Sequence, residues 1–200
     1  MSSGLDVAII DSGGANLASL QYALDRLGAR SCISSDPAVI AVAPRVLLPG
    51  VGAAPDAMAR LRASGLDQII PRLRTPLLGI CLGMQLLFDH SAEGDTPCLG
   101  VVPGRIERLQ AAPGRPVPHM GWNTLELARE DPLLADIQTG ERVYFVHSYA
   151  AAIDAAAIAT VRYGPAIAAA VQRANFRGVQ FHPERSAAVG ARVLRNFLAL

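Results

Sequence analysis

Leu77-Leu78-Gly79-Ile80-Cys81-Leu82-Gly83-Met84-Gln85 begins as an apolar run and then breaks into the pattern G-x-C-x-G, Gly79 to Gly83. That spacing is the one used by nucleophile elbows, with sulfur in place of the usual hydroxyl. It predicts a buried strand, a sharp turn and a helix. Glycine on either side of the cysteine suits a turn too tight for a Cβ. Such a turn lifts the Cys81 sulfur above the sheet edge and sets it at a helix N-terminus, where the dipole favours thiolate over thiol. A buried structural cysteine is the competing reading, because free cysteine is among the most buried residue types.

Upstream, apolar runs alternate with helical patterns. Val7-Ala8-Ile9-Ile10 reads as a strand ending at Asp11, followed by a turn at Ser12-Gly13-Gly14. From Asn16 to Leu27, Leu17, Leu20, Leu24 and Leu27 mark one helical face, with Gly28 as its stop. G-x-G-x-x-G spacing is absent there, so a tight strand-to-helix connection is preferred to a dinucleotide site. Cys32-Ile33 forms a second strand. Asp36-Pro37 opens a short helix over Ala38 to Ala43, and Arg45 to Leu48 is a third strand. Pro49-Gly50-Val51-Gly52 follows at that strand's carboxyl end, where paired glycines free the backbone to turn N–H groups toward a ligand, although taken alone the stretch reads better as a plain strand-to-helix loop. Helices over 53–65 and 66–74 then lead into the Cys81 strand. Strand–helix alternation over 5–90 implies parallel strands joined by right-handed crossovers. Ligands of such sheets sit beyond the carboxyl ends of the strands, so Gly50 and Cys81 can face one cleft.

With 200 residues, 51% of them hydrophobic, the chain can bury one substantial core, and a single domain over 1–200 is the simplest organisation. A net charge of +1 argues against nucleic-acid or polybasic membrane binding. No apolar run is long enough to span a bilayer, and Met1-Ser2-Ser3-Gly4 lacks the features of a signal peptide. The three cysteines, Cys32, Cys81 and Cys98, stand far apart, which favours a reducing, cytoplasmic setting over a disulfide scaffold or zinc site. His90, His119 and His147 lack ligand spacing, and neither metal nor cofactor is expected.

The second half reads less evenly. Residues 89–104 are turn-rich, 105–109 form a strand, and 113–118 form a loop. His119-Met120-Gly121-Trp122-Asn123 is an apolar and aromatic patch, and Arg142 to Val146 is a strand ending in His147-Ser148-Tyr149. The alanine-rich region 150–174 is best divided into strands at 158–161 and 167–171 around a turn at Tyr163-Gly164-Pro165. Val189, Val193, Leu194, Phe197 and Leu198 share one face of a closing helix. Between these lies a strand, Gly178 to Phe181, followed at once by His182-Pro183-Glu184. Residues two apart on an extended segment point the same way, and Pro183 keeps His182 out of the helical range. Glu184 is then placed to orient the His182 imidazole, which can serve Cys81 as general base, a strand-end histidine and a solvated glutamate being the alternative.

Pro49-Gly50-Val51-Gly52, Gly79-Ile80-Cys81-Leu82-Gly83-Met84-Gln85 and Gly178-Val179-Gln180-Phe181-His182-Pro183-Glu184 resemble, in order and spacing, the three signatures of class I (triad) glutamine amidotransferases. The resemblance implies an α/β three-layer sandwich with a mixed, largely parallel central sheet. It implies Cys81 as nucleophile, His182 as base and Glu184 as orienter. The expected oxyanion donors are the backbone N–H of Leu82 and one from Gly50-Val51-Gly52. Candidate pocket residues are Gln85, Glu93, Ser148 and Tyr149, with helix surface and loop solvation as the alternatives for the first two.

Asp11 to Ser19, the His119-Met120-Gly121-Trp122-Asn123 block, Tyr144 to Tyr149 and Pro183 to Ser186 are similar to the glutaminase subunits of imidazole glycerol phosphate synthases. Ser12 and Arg185 stand where that family usually has tyrosine and lysine. The similarity implies a heterodimer with a (β/α)8 synthase subunit that receives ammonia. Arg185, Met120 and Trp122 are candidate interface residues, with core packing the alternative for the last two. A glutaminase serving another synthase, a silent partner-binding scaffold and another elbow cysteine hydrolase remain open at this point.

Overall fold

Three wholly apolar runs, Val7–Ile10, Val46–Gly50 and Leu77–Cys81, set the centre of the molecule, because a strand covered on both faces needs no polar alternation. The computed structural model describes residues 4–12 and 17–200. Gly13, Gly14 and Asn16, expected in the first turn and helix start, lie outside the described residues. In order, the elements are β1 (Val7–Ile10), α1 (Leu17–Asp25), β2 (Ser31–Ser34), α2 (Pro37–Val42), β3 (Val46–Gly50), α3 (Ala54–Ala63) and α4 (Leu66–Ile69). There follow β4 (Leu77–Cys81), α5 (Leu82–Gln85), β5 (Phe88–Ser91), β6 (Thr96–Pro97), β7 (Val102–Arg108), β8 (His119–Leu127) and β9 (Arg142–His147). The chain ends with β10 (Tyr149–Ala151), β11 (Ala157–Arg162), β12 (Ala166–Arg173), β13 (Phe176–Val179) and α6 (Ala187–Leu198).

Among the described residues the large sheet has nine strands in the order β2-β1-β3-β4-β13-β12-β11-β8-β9. Neighbours from β2 to β13 run parallel, and those from β13 to β9 run antiparallel. Strand alternation divides the core into two faces. Val7, Ile9, Leu47, Leu78 and Ile80 pack with α1 and α6, through Leu20, Leu24, Val193, Leu194 and Phe197. Ala8, Ile10, Val46, Leu48 and Leu77 pack with α2, α3 and α4, through Ile40, Met58, Leu61 and Leu66. This is the three-layer α/β arrangement that the resemblance implies.

Local chemistry explains the element ends. Asp36 caps α2, its Oδ1 accepting the Ala38 N–H at 2.8 Å, with Pro37 in the first turn. Gly28 stops α1 at φ +75°.

Two expectations need correction. Residues 89–104 hold β5, β6 and the start of β7, which join β10 in a second sheet of order β10-β7-β5-β6. Turn formers such as Pro97, Pro103 and Gly104 hide these short strands, and β7 takes its other partner, β10, from about forty residues further along the chain. The helix expected over 66–74 is one turn of α4 followed by a 3-10 turn at Ile70–Arg72, ended by Leu73 in extended conformation.

Candidate active site

The carboxyl ends of β3, β4 and β13 meet in register. Gly50 pairs with Cys81, and Val179 with Ile80, so Gln180 and Cys81 emerge side by side. Cys81 itself carries the bend, at φ +55° and ψ −112°, a conformation that costs on the order of 1–3 kcal/mol and persists only where surroundings enforce it. The flanking glycines allow it through close approach. A Cβ on Gly79 would lie 2.6 Å from the Gly83 carbonyl oxygen, and one on Gly83 would collide with the Leu48 carbonyl. The helix beyond the elbow is shorter than the sequence suggests. α5 spans four residues, so its dipole has little length over which to accumulate.

His182 lies just past β13 in extended conformation (φ −97°, ψ 102°). Its backbone N–H donates to Tyr144 O at 3.0 Å, and Ser186 Oγ donates to His182 O at 2.7 Å, which locks the turn against β9. His182 Nδ1 meets Glu184 Oε1 at 2.8 Å, with both side chains buried. Burial by itself would lower the His182 pKa. The Cys81 sulfur and the Glu184 carboxylate outweigh it and push the ring up to about 10, so it is held as imidazolium. Nε2 is buried and makes no hydrogen bond of good geometry among the described residues, yet the sulfur lies near enough to raise its proton affinity.

Gly50, Val51, Gly52, Cys81, Leu82, Gln85, Glu93, Ser148, Tyr149, His182 and Arg185 all line one cavity of about 520 Å³. Every expected triad, oxyanion and pocket residue except Glu184 therefore faces the same space, and Glu184 stands behind His182. Gln85 is buried, which removes the helix-surface alternative. Its Nε2 donates to Tyr149 O at 2.9 Å and to Gln180 Oε1 at 3.0 Å. Glu93 Oε2 accepts the Ala54 N–H at 2.8 Å and so caps α3 from across the cavity wall. Ser12 is buried, and its hydroxyl donates to Pro49 O at 2.7 Å, tethering the strand that leads into the Gly50–Gly52 loop.

Met120 and Trp122 are 62% and 45% exposed, which removes the core-packing alternative. Trp122 meets Tyr144 edge-on, and the Arg185 guanidinium lies 4.7 Å above the Tyr144 ring. Behind this face lies a pair that the sequence reading left without a role: His119 Nδ1 sits 3.0 Å from His147 Nε2. Burial pushes both rings down to about 4, so both are neutral. His119, Asn123, His147 and Gln180 are polar side chains inside strand-like stretches, and that is the signal which could have singled them out.

The model of the class-I glutamine amidotransferase family matches residues 8–200. The chain belongs to that family. It is 56% identical to the imidazole glycerol phosphate synthase subunit HisH of Xylella fastidiosa strain Temecula1, over 98% of each chain. It is 53% identical to the protein of the same name from Xanthomonas axonopodis pv. citri, again over 98% of each. In fold it is similar to a glutamine amidotransferase of known crystal structure, with a TM-score of 0.75 at 20% identity, covering 98% of each chain. PurLQS from Thermotoga maritima gives a TM-score of 0.70 at 20% identity, covering 96% of this chain and 97% of that one. Among the described residues, no helix is long and apolar enough to cross a membrane.

Proposed function

We propose that this chain is the glutaminase subunit of an imidazole glycerol phosphate synthase, working with Cys81, His182 and Glu184 as its triad. One observation carries the reading. A strained cysteine elbow shares a cavity with a histidine that is held cationic by the sulfur on one side and a buried carboxylate on the other.

The Cys81 thiolate attacks the side-chain amide carbon of glutamine, and the negative charge moves to the amide oxygen. The N–H of Leu82 and one from Gly50-Val51-Gly52 receive that oxyanion; each such donor is typically worth about 10²–10³ in rate. The His182 imidazolium gives its proton to the departing nitrogen, and ammonia leaves a glutamyl thioester on Cys81. Neutral His182 then takes a proton from water as the water attacks the thioester. Glutamate is released, and the thiolate–imidazolium pair returns. Glu184 fixes the ring through Nδ1 throughout.

Both Gln85 Nε2 hydrogens are already committed, so only its Oε1 can meet substrate, as an acceptor for the α-ammonium group. The Glu93 carboxylate favours the same cation, while Ser148 and Tyr149 form the facing wall. Every proton and electron pair in this cycle is supplied by the residues named, glutamine and water, with no cofactor.

Free ammonia would escape, so the product passes to a (β/α)8 synthase subunit in a heterodimer. There it is combined with a phosphoribulosyl formimino carboxamide ribotide to give imidazole glycerol phosphate and an aminoimidazole carboxamide ribotide, a step of histidine biosynthesis in the cytoplasm. Met120, Trp122 and Arg185 form the docking face. The test is Cys81→Ala in the complex. Glutamine-dependent synthesis should fall by about 10⁴-fold or more, while synthesis from added ammonium salt persists. Intact glutamine-dependent synthesis would refute the reading.

A further inference from the structure

Beneath the cavity floor runs a set of hydrogen bonds whose donor directions can be worked out from one fixed point, the carbonyl of Tyr149. A carbonyl only accepts. It is met by His147 Nδ1 at 2.8 Å and by Gln85 Nε2 at 2.9 Å. Nδ1 of His147 must therefore carry its proton. Because His147 is neutral, its Nε2 is an acceptor, and His119 Nδ1 must donate to it. His119, also neutral, is left with Nε2 as acceptor for Asn123 Nδ2 at 3.2 Å. The Asn123 amide cannot turn round, since its Oδ1 accepts the Thr124 N–H at 2.7 Å. From β8 to the Tyr149 carbonyl, every donor and acceptor is assigned.

The same carbonyl orients the other branch. Gln85 presents an N–H to Tyr149 O, and its Nε2 also faces Gln180 at 3.0 Å. The Gln180 atom facing it must then be Oε1, an acceptor. The Gln180 amide is thus held with Nε2 on its far side, 3.8 Å from Cys81 Sγ, within reach of a sulfur acceptor. Gln180 is fully buried, so water does not compete for either end of the amide.

On another side of the sulfur, Val146 O lies 3.7 Å away. That carbonyl can only receive a hydrogen bond, so it suits a protonated thiol. Gln180 Nε2 can only give one, which a thiol sulfur accepts weakly and a thiolate strongly, so this contact favours the thiolate. We infer that Gln180 is a further catalytic residue, whose side-chain amide donates to the Cys81 sulfur and holds it as a thiolate aimed into the cavity, with Gln85 and the Tyr149 carbonyl setting the direction of that amide. This rests on Cys81 being the nucleophile.

The idea separates two roles of Gln180. As a mere brace for Gln85, only its oxygen matters, and Gln180→Glu keeps an acceptor there. As a donor to sulfur, its nitrogen matters, and Gln180→Glu replaces it with a negative oxygen. Gln180→Met fills similar space and removes both. The readouts on the full chain are the rate of Cys81 alkylation by iodoacetamide and the far-ultraviolet thiolate absorbance, taken as a difference against Cys81→Ser.

Both variants should alkylate about tenfold or more slowly at neutral pH, Gln180→Glu the more slowly, with reduced thiolate absorbance. With the synthase partner present, kcat for glutamine should fall while KM changes little, since the contact is to the reacting sulfur and not to bound substrate. Alkylation of Gln180→Glu at the wild-type rate would overturn the inference, as would a loss confined to KM. If Gln180→Glu does not fold, Gln180→Met decides by the same two measurements. A glutamine-analogue electrophile that fails to mark wild-type Cys81, while iodoacetamide marks it in a Gln180-dependent way, would sink the glutaminase reading and leave the sulfur contact standing.

Discussion

From β2 to β13 the large sheet is parallel and its central strands are buried on both faces; from β13 to β9 it is antiparallel, and its last two strands alternate between core and solvent. The parallel half delivers the strained Cys81, the Gly50–Gly52 loop and His182 to one edge. The antiparallel half supplies the opposite wall of the cavity and the exposed Met120 and Trp122, which Arg185 joins from the turn after β13. The division has a physical basis. A backbone conformation as unfavourable as that of Cys81 survives only in packing that cannot relax, which two-sided burial provides. Met120 and Trp122 stay free of the core because strands covered on one side only alternate between core and solvent.

Paired glycine substitutions would test that contrast. Gly83→Ala drives a methyl into the Leu48 carbonyl inside the parallel half and should prevent folding or cost at least about 3 kcal/mol. Gly121→Ala, on β8, meets nothing within 4 Å and bears only the strain of φ +127°, so about 1 kcal/mol is expected. Urea unfolding of both variants gives the comparison directly. Equal losses would show that the two halves are not differently packed.

A buried ion pair joins the halves. Arg177 on β13 binds Asp131, which lies beyond β8, through Nε at 2.7 Å and Nη2 at 3.1 Å. Their side chains are 12% and 7% exposed, so removing one partner strands a charge. Arg177→Met should cost about 3 kcal/mol, and combining it with Asp131→Asn should recover part of that. Asparagine keeps an oxygen for the Leu133 N–H that Asp131 now caps. A double mutant as unstable as the sum of the singles would refute the coupling.

Histidines of the two halves titrate in opposite senses. His182 is raised to about 10, so its contribution to stability is complete below its unfolded value near 6.5 and is lost as pH rises through about 10. His119 and His147 are lowered to about 4, so their contribution is complete above about 6.5 and is lost as pH falls toward 4. The urea midpoint should therefore fall on both sides of neutrality, by on the order of 1 M on each limb. His147→Gln should flatten the acid limb, and His182→Gln the alkaline one. An unchanged acid limb in His147→Gln would show that this ring is not buried neutral.

The strands up to Cys81 were readable because they are short apolar runs and turns such as Asp36-Pro37 and Gly28 carry their own chemistry, whereas the helix expected over 66–74 was not. The second sheet was hidden. β5 and β6 are brief, β5 to β7 are interrupted by turn formers, and what makes them strands is pairing with one another and, for β7, with the distant β10, which local preference does not encode. Gln85 illustrates the same limit within the site. Its place in the elbow motif was legible, but its burial and its grip on both Tyr149 and Gln180 were not.

Spacing alone determined that Cys81 sits on a sharp turn between two glycines, because that relation is local and steric; the extended run expected through Glu184 is instead a 3-10 turn over Pro183–Arg185, and that turn brings Glu184 Oε1 to 2.8 Å from His182 Nδ1. Bringing Cys81 against His182 required β13 to pair in register with β4, and only the assembled sheet could decide that. The direction of the Gln180 amide, the neutral state of His119 and His147 and the exposure of Met120 and Trp122 are likewise tertiary facts. Each depends on which groups arrive from distant parts of the chain and whether water is shut out when they do.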